Sequence, residues 1–236
     1  MMADVIDVRR AGDRFTTRTE WLTSRHSFSF GTHYDPGNVG FAVLSAHNDD
    51  VVAPGAGYDT HPHTDTEIVT WVLQGSLVHR DSRGRSGVLG PGVVQRMTAG
   101  TGVLHSERND APGARLPTRF VQMWLRPDES GLEPSYEQRD AAEGSGLLPL
   151  VSGIRGQDAA VRIHTSGAAL HLARLATGQG VVAPDAARLH VFVARGTVDL
   201  EGAGRLGEGD AARLIGEGGP TITGVGAAEV LVWQLP

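Results

Sequence analysis

The chain has 236 residues, of which 40% are hydrophobic and 20% are charged, a composition that fits one or two soluble globular domains. It contains no cysteine, which excludes disulfides and thiolate ligands, and all its basic residues are arginine, which excludes a Schiff-base lysine. The net charge of −6, without a basic cluster, argues against direct binding to nucleic acid.

The termini and apolar stretches predict neither a signal peptide nor a membrane span. Residues 1–14 are polar and charged, and no apolar run approaches the ~20 residues needed to cross a bilayer. We therefore expect a cytoplasmic protein without a membrane partner.

Short β-strands separated by glycine-rich turns are predicted along the first half of the chain. Alternating or β-branched stretches recur every ~8–12 residues, a spacing typical of a sandwich or barrel. The clearest stretches are residues 5–8, 26–30, 41–47, 68–73, 93–98 and 120–125. Residues 126–135 contain two prolines and no periodicity, so we interpret them as an interdomain connection.

The strand pattern resumes after residue 147 and indicates a degenerate repeat of the first half. Residues 71–77 align with 192–198, and Gly92 aligns with Gly209. Four positions of the first half that carry potential metal ligands then correspond to Val182, Pro184, Ile222 and Gly224. We predict two domains, residues 1–132 and 133–236, with a metal site in the first only.

Those potential ligands form two pairs, His61 with His63 and His105 with Glu107. Residues i and i+2 of a strand point to the same face of a sheet, so each pair projects together. If the two strands pair or face each other, three imidazoles and one carboxylate converge. The sequence therefore predicts one mononuclear metal site. His26, His33, His47, His164, His171 and His190 lack a paired motif and are interpreted as structural.

The arrangement resembles the two-part motif of the cupin superfamily, and the surrounding segments resemble the pirin family. The segments that carry this resemblance are residues 25–31, 48–50, 61–63, 67–71, 100–102 and 105–107. It is dense over residues 20–127. It implies an all-β bicupin with two double-stranded β-helix (jelly-roll-like) domains, and in its pattern Glu107 is a metal ligand.

The donor set suits Fe(II), Mn, Ni, Co or Zn. Four ligands leave two positions of an octahedral ion open, and the resemblance favours Fe(II). Glu67 is a competing carboxylate, which we place beside the ligands, where it could orient an imidazole; the alternative is a charge at the strand edge facing solvent. Phe28, Phe30, Trp71 and Met97 are expected to line an apolar cavity or to pack in the core.

Two functional classes follow from the resemblance. Bacterial pirins resemble quercetin 2,3-dioxygenase, which implies a flavonol-type aromatic substrate, dioxygen, and Glu107 as a catalytic proton acceptor. Alternatively, the chain is a non-catalytic, iron-binding, redox-responsive regulator that acts through a protein partner. In either case we expect a monomer.

Overall fold

The computed structural model describes residues 5–216 and 218–236. Within them the secondary structure is β-strand apart from one 3₁₀ turn, Ala11–Asp13. In chain order the strands are β1 (Val5–Arg9), β2 (Phe15–Arg18), β3 (Leu22–His26), β4 (Leu44–Val52), β5 (Gly57–His63), β6 (Glu67–Gln74), β7 (Leu77–Asp81), β8 (Ser86–Leu89), β9 (Val93–Thr98), β10 (Val103–Arg108), β11 (Thr118–Leu125), β12 (Ser135–Asp140), β13 (Leu147–Ser152), β14 (Val161–Arg162), β15 (Ala169–Leu175), β16 (Gly180–Val182), β17 (Arg188–Arg195), β18 (Thr197–Leu200), β19 (Gly204–Gly207), β20 (Ala211–Ile215), β21 (Thr221–Gly224) and β22 (Ala228–Leu235). The all-β prediction is confirmed.

Contacts within the chain define two compact units. The N-terminal unit comprises Phe15–Ala141 with Val161–Thr165. The C-terminal unit comprises the segment that ends at Arg14, together with Ala142–Ala160 and Ser166–Pro236. No helix in the described part of the chain is long and apolar enough to span a membrane.

The predicted division between residues 132 and 133 differs from these units. β12 pairs with β9, so residues 126–135 connect two strands of the N-terminal unit. β1 pairs with β20, so the first predicted strand belongs to the C-terminal unit. Both pairings join segments that are distant in sequence, and strand periodicity carries no information about such partners.

The N-terminal unit is built from two antiparallel sheets. The larger has the strand order β12-β9-β6-β11-β4-β3-β2 and the smaller the order β5-β10-β7-β8. Side chains of both sheets meet in one buried cluster, in which Phe120 and Val72 of the larger sheet pack with Leu77 and Leu89 of the smaller. Burying each such side chain contributes roughly 1.5–3 kcal/mol, so this end of the unit is an apolar core. A second buried apolar cluster, which includes Ile68, Met97 and Val103, lies beside the predicted metal ligands, with Val103 opposite His63.

The C-terminal unit repeats this plan with an apolar interior. β1, β20, β17, β22, β15 and β13 follow one another in its larger sheet, and β16-β21-β18-β19 form the smaller. One buried cluster spans both sheets and includes Val191, Val230, Leu200 and Ile222.

Matching backbone hydrogen bonds show which residues of the two units correspond. The N–H of Gly55 donates to the carbonyl of Asn109, and the N–H of Gly178 donates in the same way to Gly224. Gly224 therefore corresponds to Asn109.

This equivalence shifts the predicted alignment by two residues. Ile222, two residues before Gly224, corresponds to Glu107, and Leu200 pairs with Ile222 as His79 pairs with Glu107. The predicted match of Gly224 to Glu107 is wrong because Ile222 follows the end of β20, Ile215, by seven positions, whereas Glu107 follows the end of β9, Thr98, by nine. The positions of Glu107 and His79 are thus occupied by aliphatic side chains in the C-terminal unit.

Candidate metal centre

Adjacent strands of the smaller N-terminal sheet bring the three predicted histidines together. β5 and β10 are antiparallel, with His61 opposite His105 and His63 opposite Val103. The ring centroids of His61 and His105 are 4.5 Å apart, those of His61 and His63 4.9 Å, and those of His63 and His105 5.0 Å. One nitrogen from each ring lies within 4.8 Å of the other two, a spacing that one metal ion can bridge.

Each imidazole has a nitrogen that is free to bind a cation. His61 Nδ1 lies 2.7 Å from the carbonyl oxygen of Asp59, which only accepts, so Nδ1 carries the proton and Nε2 keeps its lone pair. The Nε2 atoms of His63 and His105 are buried and have no hydrogen-bond partner among the described residues. Buried polar atoms are rarely left without a partner, so these two atoms fit a site that binds a cation.

The carboxylate of Glu107 also presents one bound and one free oxygen. Gln122 Nε2 donates a 2.7 Å hydrogen bond to Glu107 Oε2, whereas the buried Oε1 has no partner within the described part of the chain. Between His105 and Glu107 the register shifts by one residue, so that Ser106 of β10 lies opposite two residues of β5, Asp59 and Thr60. Such bulges re-aim side chains next to functional sites.

The structure places a fourth histidine, His79, beside the predicted set. His79 lies opposite Glu107 on β7, and donor atoms of His79, His105 and Glu107 form a second group within 4.8 Å of one another. Glu107 therefore groups with His105 and His79, while His61 and His63 group with His105. Sequence reasoning missed His79, although its alternation with the buried Leu77 on β7 indicates an inward-facing side chain.

Burial sets the protonation states of these groups. It lowers the pKa of His63 to about 4 and that of His105 to about 2, with a smaller contribution from the neighbouring imidazoles. Burial raises the pKa of Glu107 to about 7, against the hydrogen bond from Gln122, which lowers it. Near neutral pH the two histidines are uncharged and able to donate lone pairs, and Glu107 titrates.

Glu67 lies outside the histidine cluster. It is fully buried, its carboxylate accepts from Thr98 Oγ1 at 3.0 Å, and it lies 2.9 Å from His164 Nδ1. The alternative, in which Glu67 faces solvent, is wrong. Glu67 does orient an imidazole as predicted, but that imidazole is His164 and not one of the predicted ligands. Glu67 therefore fixes the segment Val161–Thr165 to the rest of the N-terminal unit.

A different aromatic residue from those expected contacts the histidines. Phe28, Trp71 and Met97 are buried in the core, and Phe30 stacks on His26. Trp124 instead packs edge-on against His63, with ring centroids 4.8 Å apart. Beside this contact lies an open cavity of about 670 Å³ whose lining includes His63, Trp124, Arg126, Asp65, Ala42 and Val43.

Comparison with known proteins shows which family this chain belongs to. The family model described as Pirin matches residues 8–125. Over 236 residues, 98% of this chain, the sequence is 37% identical to the Escherichia coli K12 protein named quercetin 2,3-dioxygenase, of which 99% is covered. This chain belongs to the pirin family.

Other relatives agree with this placement. A Mycobacterium tuberculosis H37Rv protein, named only provisionally as a quercetin 2,3-dioxygenase, is 51% identical over 237 residues, covering 99% of this chain and 96% of that protein. The crystal structure of the bacterial pirin YhhW from Escherichia coli in complex with nickel(II) superposes with a TM-score of 0.91 at 35% identity, covering 98% of this chain and 99% of that one. The bicupin prediction is confirmed, and both units have the fold of this pirin.

Proposed function

We propose that this pirin binds one divalent metal ion through His61, His63, His105 and Glu107 and acts as a quercetin 2,3-dioxygenase on a flavonol-type substrate. The observation that carries the proposal is the set of three buried donor atoms, His63 Nε2, His105 Nε2 and Glu107 Oε1, that have no partner in the described chain and lie on neighbouring positions of one sheet. Neutral imidazoles with one carboxylate suit Fe(II), Mn, Ni, Co or Zn, and we place Fe(II) first because the family resemblance favours it.

The residues fit such an ion because each donor is already held in place by its other polar atom or by packing. His61 is fixed through its Nδ1 contact with Asp59, Glu107 through Gln122, and His63 by the edge of Trp124. When bound, the ion would supply Lewis acidity and an open position at which an acidic hydroxyl and dioxygen can be brought together. The protein's own contribution is to orient the donors and to position the substrate.

Glu107 is suited to take a proton from the substrate. In the metal-free protein its pKa of about 7 lies in the range in which a base can accept a proton and release it again near neutral pH, and a bound cation would lower that pKa. The 3-hydroxyl of a flavonol is acidic enough to transfer its proton to such a carboxylate. Gln122 Nε2 remains on Oε2, so Oε1 is the oxygen directed at the ion, and Glu107 would take the proton there only while its bond to the ion is loosened.

The cavity beside His63 offers a place for an aromatic ligand. Trp124 supplies an aromatic wall and Arg126 a cation, and the volume of about 670 Å³ falls within the range of small-molecule sites. In the proposed reaction the central ring of the flavonol opens, both atoms of dioxygen enter the products, and one carbon leaves as carbon monoxide. No external reductant is therefore required.

The test is anaerobic loading with Fe(II), followed by quercetin and air. We expect loss of the flavonol absorbance together with an equimolar release of carbon monoxide. Glu107→Gln and His105→Gln should abolish both signals, whereas His33→Gln, a histidine of the same unit outside the cluster, should leave them unchanged. Stoichiometric metal binding without turnover would refute the enzymatic proposal and favour a regulatory protein.

A further inference from the structure

His79 and Asp81 lie immediately behind the candidate ligands, on β7. In the register of β7 and β10, His79 faces Glu107 and Asp81 faces His105. His79 Nδ1 is 3.5 Å from His105 Nδ1, and His79 Nε2 is 3.5 Å from Asp81 Oδ2. The side chains of His79 and Asp81 are both fully buried.

We propose that Asp81 and His79 are positioning residues that hold His105 in its Nδ1–H tautomer and so direct its Nε2 lone pair toward the metal position. This rests on the proposed function only in taking His105 Nε2 as a ligand. No residue of the pair itself contacts the metal in this arrangement.

The contacts from His105 to His79 and from His79 to Asp81 form a chain of hydrogen bonds, and Asp81 is its fixed end. Its Oδ1 accepts from the backbone N–H groups of Arg83 and Arg85, at 2.9 and 3.0 Å, and the Arg85 guanidinium lies 3.8 Å from Oδ2. A carboxylate held by two N–H donors beside a cation acts as an acceptor. The group that points at Oδ2 must therefore carry a hydrogen, which places the proton of His79 on Nε2.

The direction of the remaining bond follows from the chemistry of neutral imidazole, which has one donor and one acceptor nitrogen. The side chain of His79 is fully buried, which favours this neutral form. With its proton on Nε2, His79 presents a lone pair on Nδ1, and His105 Nδ1 must donate to it. His105 Nε2 is then the unprotonated atom, which agrees with its lack of any partner among the described residues.

Two comparisons within the molecule support a role at the metal position rather than in packing. His61 reaches the same tautomer by a different route, through the carbonyl of Asp59, so both imidazoles of the β5–β10 pair present Nε2. In the C-terminal unit, where Ile222 replaces Glu107, the position of His79 is Leu200, packed in an apolar cluster. An aliphatic residue therefore satisfies the fold at this place when no donor set is present.

The ring of His79 is held by Tyr136. The two rings stack with centroids 4.6 Å apart and an interplanar angle of 24°. The Tyr136 hydroxyl donates to Gln138 rather than to His79, so the stack fixes the plane of the imidazole without competing for its nitrogens.

The test uses variants that separate the Nδ1 acceptor from the shape of the ring. His79→Phe keeps the stack on Tyr136 and removes both nitrogens, whereas His79→Asn retains an oxygen near the place of Nδ1. Asp81→Asn keeps the Oδ1 contacts to the turn and weakens the acceptor for Nε2. Tyr136→Phe is the control, because it removes only a hydroxyl that does not contact the chain of hydrogen bonds.

The first readout is the tautomer of His105 in the metal-free protein, measured from long-range ¹H–¹⁵N couplings of the imidazole. We expect the Nδ1–H form in the native protein, in Tyr136→Phe and in His79→Asn, and a mixture of tautomers in His79→Phe. A native protein with His105 protonated on Nε2 would overturn the proposal. This measurement needs no activity, so it decides the proposal even if the dioxygenase assignment fails.

The second readout is cobalt(II) binding, measured as affinity, stoichiometry and ligand-field absorption. Loss of a partner that orients a ligand typically weakens metal binding by about 10–100-fold, and we expect His79→Phe and Asp81→Asn to fall in this range with one ion still bound. His79→Asn should recover most of the loss. Unchanged affinity in His79→Phe, or a native stoichiometry of two that falls to one in it, would refute the positioning role. If His79→Phe does not fold, the cobalt(II) affinities of Asp81→Asn and His79→Asn are compared instead. Weaker binding by Asp81→Asn than by His79→Asn supports the positioning role, and native affinity in Asp81→Asn refutes it.

Discussion

Gln122 Nε2 donates a 2.7 Å hydrogen bond to Glu107 Oε2, and the orientation of that amide is fixed from its other side. Trp124 Nε1, which can only donate, lies 3.0 Å from Gln122 Oε1. The amide therefore has its NH₂ group toward Glu107. Glu107 Oε1 remains available to bind a metal ion. Trp124 thus contacts the candidate centre twice, through His63 and through Gln122.

Gln122→Leu should weaken metal binding by about 10–100-fold, the usual effect of removing a group that orients a ligand. The hydrogen bond from Gln122 lowers the pKa of Glu107, so its loss should also raise that pKa further and make the carboxyl harder to ionise. Both effects can be measured by metal titration between pH 6 and 8.

Gln95→Leu is the matched control. Gln95 is a buried glutamine of β9 in the same sheet, and its side-chain amide has no hydrogen-bond partner among the described residues. Its replacement should leave metal affinity unchanged. Equal losses in the two variants would show that the effect of Gln122 arises from general damage to the sheet.

Metal affinity should fall about tenfold for each pH unit below pH 7, because the metal competes with one proton on Glu107. His63 and His105, with pKa values of about 4 and 2, stay neutral down to pH 5 and release no proton on binding. Calorimetric titration at pH 6 in two buffers of different ionisation enthalpy should therefore detect close to one more proton released per ion in the native protein than in Glu107→Gln.

Glu107→Gln should remove this released proton and, with it, about a tenfold loss of metal affinity per pH unit below pH 7. In the metal-free protein the same group has the opposite consequence for folding. Its pKa is raised from 4.5 to about 7, so the native state binds the proton more tightly, and the stability that this provides is lost as the pH rises from 4.5 to 7. A slope of zero for metal binding in the native protein would mean that Glu107 is not a ligand.

The histidine pairs could be predicted from sequence because the i, i+2 rule of an extended strand holds regardless of the rest of the fold. His61, His63 and His105 accordingly lie together. Gln122 and Trp124 could not be predicted in the same way. They lie on β11 of the larger sheet, and their approach to Glu107 depends on how the two sheets pack, which local sequence does not encode.

The strands were predictable and their partners were not. Glycine and β-branched residues mark where strands begin and end, whereas the pairing of β1 with β20 and of β12 with β9 depends on long-range contacts. The alignment of the two halves failed after β9, because the path from Thr98 to Glu107 is two residues longer than the path from Ile215 to Ile222. A strand pattern with period two tolerates a slip of two residues without changing which face is apolar.

Glu67→Gln should destabilise the N-terminal unit by about 1–3 kcal/mol and leave its metal content intact. The substitution removes a charged acceptor from a fully buried site in which Thr98 and His164 are bound, and hydrogen bonds to charged groups contribute this much. Thermal unfolding and elemental analysis of the same sample separate the two effects. A matching loss of metal would place Glu67 in the centre after all.

Ala42→Gly should stabilise the protein by about 0.5–1 kcal/mol. Ala42 has φ of 53° in the tight turn between Phe41 and Leu44, beside the cavity that reaches His63. The left-handed conformation costs an alanine about 1–2 kcal/mol, more than the roughly 0.5–1 kcal/mol of extra chain entropy that glycine loses on folding. Urea denaturation of the two proteins measures the difference.

Asp65, with φ of 45°, provides the comparison. Its carboxylate accepts a 2.7 Å hydrogen bond from the Gly131 N–H, so Asp65→Gly relieves the same strain but loses that bond. A gain for Asp65→Gly as large as that for Ala42→Gly would show that this hydrogen bond contributes nothing to stability.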